Sequence, residues 1–554
     1  MSRSLDSYRT LHHQKLACGK SLLDLSTYAG IAWWWNTHFM FYTGLDLIGE
    51  TGSKPRIYRF RFLIPLFSSL LLYSDLIYSF LLKYLVVALR WAGERRGSAP
   101  QSNKERILFV STDTDWRSIT DYKSMKSAKG DVLFHSTIDL LDDKYEFVGI
   151  YPIDFYPLRG LRAAWEKWTT GKFRFVSLNS HWTLKIWLKQ RRATAHFMRA
   201  WREIKDDEKL VEMCRVSGIE LYEPVRFSLE LYFLFILPLA VKYTEMGSNL
   251  VRAERPRLFL IKNEYGWRER GYAVIAAKQQ GVPTVALQHG NIYPRHHGYL
   301  YLENELSAIG EVTAPYCPLP DLTAVYGHYY RRLLTEVSAY EPSALRVTGQ
   351  PRYDVLAHAA SLFSRDGYTS AYDIDPTHQI VLWTTQSHGL GDEENEKSWT
   401  TVFRAMKQLE NTTLVIKQHP GEGSDYTRRI KSCLKSYEIS AVVAPKDSDT
   451  YTHLACCDVM ITKFSTTATE AVILGKPVII LNLSGDPDRV DYVRQGVAYG
   501  VYEEGDLSRA IKEAVSNKGA FEENRERFKA DYVFECDGRA TTRVVELLNS
   551  VLDA

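Results

Sequence analysis

Short apolar runs, each closed by polar or glycine residues, recur along this chain from Arg106 to Val501, with longer stretches of helical character between them. Runs of this kind predict buried strands, and the stretches between them predict the crossover helices of a parallel sheet. Arg106 to Val110 (RILFV) and Tyr145 to Tyr151 (YEFVGIY) are the first strands, with helical stretches expected in the basic, Trp-rich span from Leu161 to Leu210. Leu258 to Ile261, a helix from about Arg268 to Gln280, and Thr284 to Leu287 have the spacing of one crossover unit. Thr323 to Tyr326 and Leu345 to Thr348 follow. A second series starts after the polar stretch Ser364 to His378, with Ile380 to Trp383, Thr413 to Ile416, Ala441 to Val443, Val478 to Leu481 and Tyr499 to Val501. Each strand carries its polar residues at the carboxyl end. Two Rossmann-like α/β domains in tandem are expected, with ligands outside the strand ends and in the cleft between the domains.

The pattern changes before Arg106. Phe62 to Leu89 is almost entirely apolar, with Pro65, Asp75 and Lys83 as the interruptions of note, and the polar string Arg95 to Asn103 links it to the first strand. The run is long enough to span a bilayer, but a carboxylate near its middle is costly in hydrocarbon. A monotopic or re-entrant arrangement at a membrane surface fits better. Flanking arginines (Arg56, Arg59, Arg61, Arg90, Arg95, Arg96) suit anionic lipid, and Trp33 to Trp35 suit an interface. A buried helical hairpin or an oligomer contact is the alternative. Leu231 to Val241 is too short to span and contains Pro238, so it is expected in the core. The domain bounds are then 1–103 for a membrane-associated helical region, 104–362 for the first α/β domain and 363–554 for the second.

Composition narrows the function. With 69 basic and 66 acidic residues the net charge is only +3, which gives no whole-chain signature of nucleic-acid binding. The seven cysteines are scattered and odd in number, as expected of a reducing compartment, and the N-terminus lacks the basic-then-apolar order of a cleavable signal. A cytoplasmic location at the inner face of the cell membrane is expected.

The chemistry concentrates in Asp458 to Leu483, which is a strand, the turn Lys463-Phe464-Ser465-Thr466-Thr467, a helix closed by Gly475, and another strand. Hydroxyls and backbone N–H groups at a helix start favour phosphate, although Ser465 or Thr466 with Glu470 is also an ordinary helix start. Lys417-Gln418-His419-Pro420-Gly421 closes another strand with a tight turn that presents its side chains. In the first domain, Gln288-His289-Gly290 and Glu264 follow strands and supply candidate bases, with Asp113 and Asp115 in reserve. Glu264 could equally pair with Arg268 or Arg270.

The ordered set Gln288-His289-Gly290, Gly349-Gln350-Pro351-Arg352-Tyr353-Asp354, Lys417-Gln418-His419-Pro420 and Ser465-Thr466-Thr467 with Glu470 resembles the GT-B group that holds capsule-polysaccharide transferases, polysialyltransferases and CDP-glycerol glycerophosphotransferases. The resemblance runs from Arg106 to the C-terminus. It implies a GT-B fold and a nucleotide-activated donor, CMP-, CDP- or UDP-linked, whose phosphates meet His419 and Ser465-Thr466. It also points to His289 for acceptor activation. The expected catalytic residues are therefore His289 and Glu264, and the expected donor-binding residues Lys417, His419, Ser465, Thr466, Thr467 and Glu470, with no metal and no separate cofactor needed. The implied activity is sugar transfer to a lipid-linked or polymeric acceptor in cell-surface glycan synthesis. The motif here is Ser-Thr-Thr and no lysine follows His289-Gly290, which weakens a glycerophosphotransferase assignment. UDP-sugar 2-epimerases share the layout, but their HxEAG and SGG patterns are absent. A membrane-docked scaffold without turnover is the non-enzymatic alternative.

Overall fold

The structure is a computed structural model that describes all residues except 1–6, 52–63, 98–102, 113–114, 122–125, 154–156, 171–172, 217–218, 221, 263, 307–310, 387–391 and 420. Part of the apolar run, the reserve Asp113 and the turn residue Pro420 lie outside the described residues.

The first domain holds seven strands, β1 (Arg106–Val110), β2 (Glu146–Tyr151), β3 (Arg174–Ser177), β4 (Leu258–Ile261), β5 (Thr284–Leu287), β6 (Leu322–Val325) and β7 (Leu345–Val347). They form one parallel sheet in the order β7-β6-β5-β4-β1-β2-β3. The second domain holds β8 (Gln379–Thr384), β9 (Thr412–Lys417), β10 (Ala441–Val443), β11 (Val459–Thr462), β12 (Val478–Leu481) and β13 (Tyr499–Val501). Its parallel order is β10-β9-β8-β11-β12-β13. Both sheets are doubly wound, and the two domains together make the expected GT-B fold.

Alternation explains why the strands are apolar throughout. Ile107 and Phe109 enter one core with Phe134 and Trp168, while Leu108 and Val110 enter another with Met246 and Leu250. A strand covered on both faces has no polar side. Helices do occupy Pro157–Thr170 and Leu184–Ile204, but the structure adds β3 between them and an antiparallel hairpin of Trp116–Asp121 with Lys126–Asp131, neither expected from the sequence.

Five helices carry or flank the residues of interest: α1 (Ile64–Gly97), α2 (Leu184–Ile204), α3 (Leu237–Glu254), α4 (Thr466–Ile473) and α5 (Ala540–Leu552). Asp75 and Lys83 of α1 both have partners. Asp75 pairs with Lys242 of α3 at 2.6 Å, and Lys83 donates to the Trp182 carbonyl at 2.9 Å. Leu82 and Val86 are buried on this side, whereas Ile77, Phe80, Leu81, Tyr84 and Leu85 are exposed. Tyr222–Glu254, which contains α3, is the one described helix long and apolar enough to cross a membrane, but most of that apolar stretch is buried in the protein. Pro238 lacks an N–H, and the turn before it, Tyr232–Ile236, widens to a π-helix.

Trp33, Trp34 and Trp35 are no interfacial anchors. All three are buried in the core, with the Trp35 indole donating to the Pro315 carbonyl at 2.8 Å.

The C-terminal segment returns to the first domain. Val544, Leu547, Leu548 and Leu552 of α5 enter the core that holds Ile107 and Leu258. Asp354 caps α5 through the N–H groups of Ala540 (2.9 Å) and Thr541 (2.8 Å). Gly349, at φ +78°, leaves room for Ala540, whose methyl would stand 2.9 Å from any added Cβ.

Candidate functional site

In each sheet the chain reverses its winding beside the first strand of the domain, between β1 and β4 and between β8 and β11. Loops leaving such a pair diverge to opposite faces and open a crevice at the carboxyl ends, which is where open α/β sheets bind ligands. Two of the sequence candidates stand at these points. Glu264 follows β4, and Ser465-Thr466-Thr467 follows β11.

At the first switch point Lys262 pairs with Asp115, which also accepts from the Thr112 N–H at 2.6 Å and its hydroxyl at 2.5 Å. Burial alone would raise this carboxyl, but Lys262 and Thr112 hold it down at about 2. Asp115 is thus committed to the loop after β1.

Glu264 has the opposite setting. It is 1% exposed, and burial pushes its carboxyl up to about 7 against the milder opposing effects of its own backbone N–H, Arg270 and the Tyr299 hydroxyl. That hydroxyl donates to Oε2 at 3.3 Å, and Oε1 has no hydrogen-bond partner among the described residues. The alternative of a local pair with Arg268 or Arg270 does not form: Arg270 turns to Cys317 and to the Tyr301 hydroxyl, 2.7 Å away. A carboxyl that titrates near neutrality can hold or release a proton at physiological pH.

His289 is exposed at the end of β5, two residues before Asn291. Asn291 donates to the Tyr492 hydroxyl of the second domain at 2.8 Å and accepts from Tyr330 at 3.0 Å. Tyr492 in turn donates to the Ser465 carbonyl at 3.0 Å and meets the Thr469 hydroxyl at 2.9 Å. The loop carrying His289 is thereby tied to the first turn of α4.

At the second switch point the Ser465 hydroxyl caps α4, accepting from the Thr467 N–H at 3.2 Å, and the Thr467 hydroxyl meets that of Thr384 at 3.2 Å. Gln386 at the end of β8 accepts from the N–H groups of Lys463 (3.2 Å) and Phe464 (2.8 Å). Ser465, Thr466 and Thr467 remain partly exposed at the positive end of the helix. Arg489 stacks on the Phe464 ring at 4.7 Å and adds a cation beside them.

The other donor candidates divide. His419 is exposed, and its Nδ1 accepts from the Gly421 N–H at 3.1 Å, so the neutral ring carries its proton on Nε2. Lys417 is buried and donates to the carbonyls of Lys446 (2.8 Å) and Pro445 (3.3 Å), so it braces the loop after β10. Glu470 is buried on α4, with Arg352 at 3.7 Å and the Tyr451 hydroxyl at 3.4 Å. Arg352 stacks on Tyr451 at 5.2 Å and joins the segment after β7 to the second domain. A cavity of about 50 Å³ opens beside it between Asp131 and His135 of the first domain and Ser448 and Tyr451 of the second.

Tyr492 and Arg489 were missed by the sequence reading. Both follow β12, and the strand-end rule that found His289 and His419 would have reached them had it been applied to the loop after Leu481.

Residues 322–549, less than half of the chain, match the family model described as UDP-N-acetylglucosamine 2-epimerase. No curated protein matches the chain. Among solved structures, it is similar to a putative UDP-N-acetylglucosamine 2-epimerase from Listeria monocytogenes at 12% identity, covering 81% of this chain and 96% of that one with a TM-score of 0.49. The wall teichoic acid polymerase TagF is similar at 11% identity over 88% of this chain and 97% of that one, TM-score 0.46. A glycosyltransferase from Rickettsia africae ESF-5 is similar at 11% identity over 81% and 99%, TM-score 0.41.

Proposed function

We propose that the protein is a glycosyltransferase that moves a sugar from a CMP-, CDP- or UDP-linked donor to a lipid-linked or polymeric acceptor in cell-surface glycan synthesis. The observation that carries this reading is the pairing of unlike switch points, a solvated hydroxyl-rich helix start in one domain and a buried carboxyl near neutrality in the other. Transfer needs both. As the bond from the sugar to the leaving phosphate breaks, negative charge gathers on the phosphate. The Ser465 and Thr466 hydroxyls, the His419 Nε2–H and the start of α4 would take it up, with Arg489 as a nearby cation. The acceptor hydroxyl must lose its proton as it attacks the sugar carbon, and His289 or Glu264 would receive it. His289 is the better placed for direct contact because it is exposed. Glu264 would act where domain or loop movement opens the Tyr299 side.

A second reading, epimerisation at C2 of a UDP-sugar, is favoured by the family match over residues 322–549. The two reactions separate cleanly. Purified protein is incubated with CMP-, CDP- and UDP-activated donors, with and without membrane lipid extract. Nucleotide release that depends on extract is the transferase result, and a C2 epimer formed from UDP-N-acetylglucosamine alone is the epimerase result. Release with a CDP-glycerol donor alone among the panel would make it a glycerophosphotransferase. Nucleotide binding without turnover of any donor would make it a scaffold.

The membrane part of the proposal rests on α1, whose Ile77 and Leu81 are 62% and 60% exposed in one stripe with Phe80, Tyr84 and Leu85. Such a stripe suits a monotopic seat at the inner face of the membrane, where a lipid-linked acceptor would be delivered. Flotation with anionic liposomes tests it, and a chain that stays at the bottom of the gradient refutes it.

A further inference from the structure

A group of imidazoles outside the strand-end residues converges on one carboxylate. His12 and His13 close the short helix Ser7–His13, and their Nε2 atoms stand 3.0 and 2.7 Å from Oε1 of Glu305. These three ligand atoms lie within 4.8 Å of one another. Two of the three side chains are held by an outer contact. The His12 Nδ1 meets the Tyr42 hydroxyl at 2.7 Å, and Oε2 of Glu305 accepts from the Leu302 N–H at 2.8 Å, which turns Oε1 toward the rings.

Two observations point beyond an ordinary hydrogen-bonded cluster. The fully buried His12 brings Nε2 to 3.0 Å from the same Oε1 that the His13 Nε2 meets at 2.7 Å, so two imidazoles converge on a single carboxylate oxygen. His38, also buried, has its ring 5.3 Å from that of His12, and its Nδ1 has no hydrogen-bond partner among the described residues. A cavity of about 10 Å³ lies between His38, Tyr42, His297 and Glu305, on the scale of one water-sized sphere. Crowding two imidazoles onto one buried carboxylate oxygen, with a third imidazole nitrogen unsatisfied nearby, is costly, and a cation with its bound water would relieve it.

We infer that His12, His13 and Glu305 bind one divalent cation of the zinc class, clamping the N-terminal segment to the Glu303–Glu305 turn. Two imidazoles and one carboxylate suit a borderline metal, whose ligand atoms stand about 3.3 Å apart for bonds of about 2.0–2.2 Å. The His12–Glu305 and His13–Glu305 edges are already near this spacing, and a small rotation of the partly exposed His13 ring closes the third. Tyr42 would accept from the His12 Nδ1–H and keep Nε2 for the metal, as outer-shell partners of metal-bound imidazoles do. A water in the cavity completes a four-coordinate set.

The test uses the full-length chain, stripped with a chelator and titrated with Zn²⁺ against a chromophoric competitor. One equivalent is expected, weakened at least about 30-fold in Glu305→Gln and in His13→Asn. His13 is partly exposed, so His13→Asn should fold even where the buried change does not. Co²⁺ in place of Zn²⁺ should give a four-coordinate visible spectrum that both variants lose. Zn²⁺ should also slow proteolysis near residues 7–16 in the wild type and not in His13→Asn. Absence of a stoichiometric equivalent, wild-type affinity in both variants, or unchanged proteolysis on adding Zn²⁺ would each overturn the site.

Discussion

The two Rossmann-like domains share a winding and differ at the point where it reverses. In the second domain the switch point is lined by Ser465, Thr466 and Thr467, all partly exposed at a helix start. In the first domain it is sealed, with Glu264 1% exposed and Tyr299 over its carboxyl. The same topology thus makes a wet site that stabilises an anion by dipoles and a dry site that destabilises one by withholding water. An anionic leaving group and a proton acceptor need these opposite environments, and no single pocket supplies both without compromise.

The sharpest break of this comparison is Glu264→Gln. If the dry site supplies the base, kcat/KM falls by about 10²–10⁴ and the limb of the pH profile near 7 disappears. The same variant tests the dryness itself. The carboxyl rises from 4.5 to about 7 on folding, so between these values the folded chain binds more protons than the unfolded one. Stability therefore falls as pH rises through that window and levels above it, by on the order of 3 kcal/mol in total. Glutamine removes the effect, so denaturant unfolding should show the variant gaining on the wild type from pH 4.5 to 7. A difference that does not vary with pH would mean the carboxyl is not shifted.

On the wet side, Ser465→Ala should lower kcat/KM with the donor by about 10²-fold and cost about 1 kcal/mol for the lost cap. Ser465→Asn keeps a capping oxygen, so recovery of stability without activity would separate the phosphate role from the structural one. Full recovery of activity would reduce Ser465 to a helix cap.

Tyr492→Phe removes the hydroxyl that joins Asn291 to α4. A loss of about 1–2 kcal/mol is expected from the unpaired groups left behind, with a rise in donor KM rather than a fall in kcat. An unchanged KM and stability would mean the two sides are not coupled through this bridge.

The smallest effect should come from Leu81→Glu with Leu85→Glu on the exposed face of α1. Thermal unfolding should change by no more than about 0.5 kcal/mol, since neither side chain is buried. Liposome flotation should nevertheless be lost, and its retention would remove the membrane seat from the comparison.

Much of the frame was legible from local pattern, because a strand covered on both faces advertises itself as an apolar run and its turn residues lie next to it. β3 was not, since Arg174 and Phe175 sit in a basic, aromatic stretch whose composition resembles its helical neighbours. The tryptophans at 33 to 35 misled for a similar reason, as an aromatic cluster looks the same whether lipid or protein will cover it. The cap at Ser465 and the turn at His419 were legible because their partners lie within a few residues. Lys417 shows the limit of that logic: position at a strand end was right, yet the carbonyls it meets come from the loop after another strand.

The sequence by itself therefore determined most of the strands, the strand-end positions of the polar residues and the capped helix start at Ser465. All of these follow from contacts between near neighbours in the chain. Only the tertiary structure decided that Glu264 is dry while Ser465 is wet, that Tyr492 ties the two sides together, and that His12 and His13 meet Glu305. Burial and charge at a point depend on what distant segments bring to it, and that sum is formed only when the chain closes on itself.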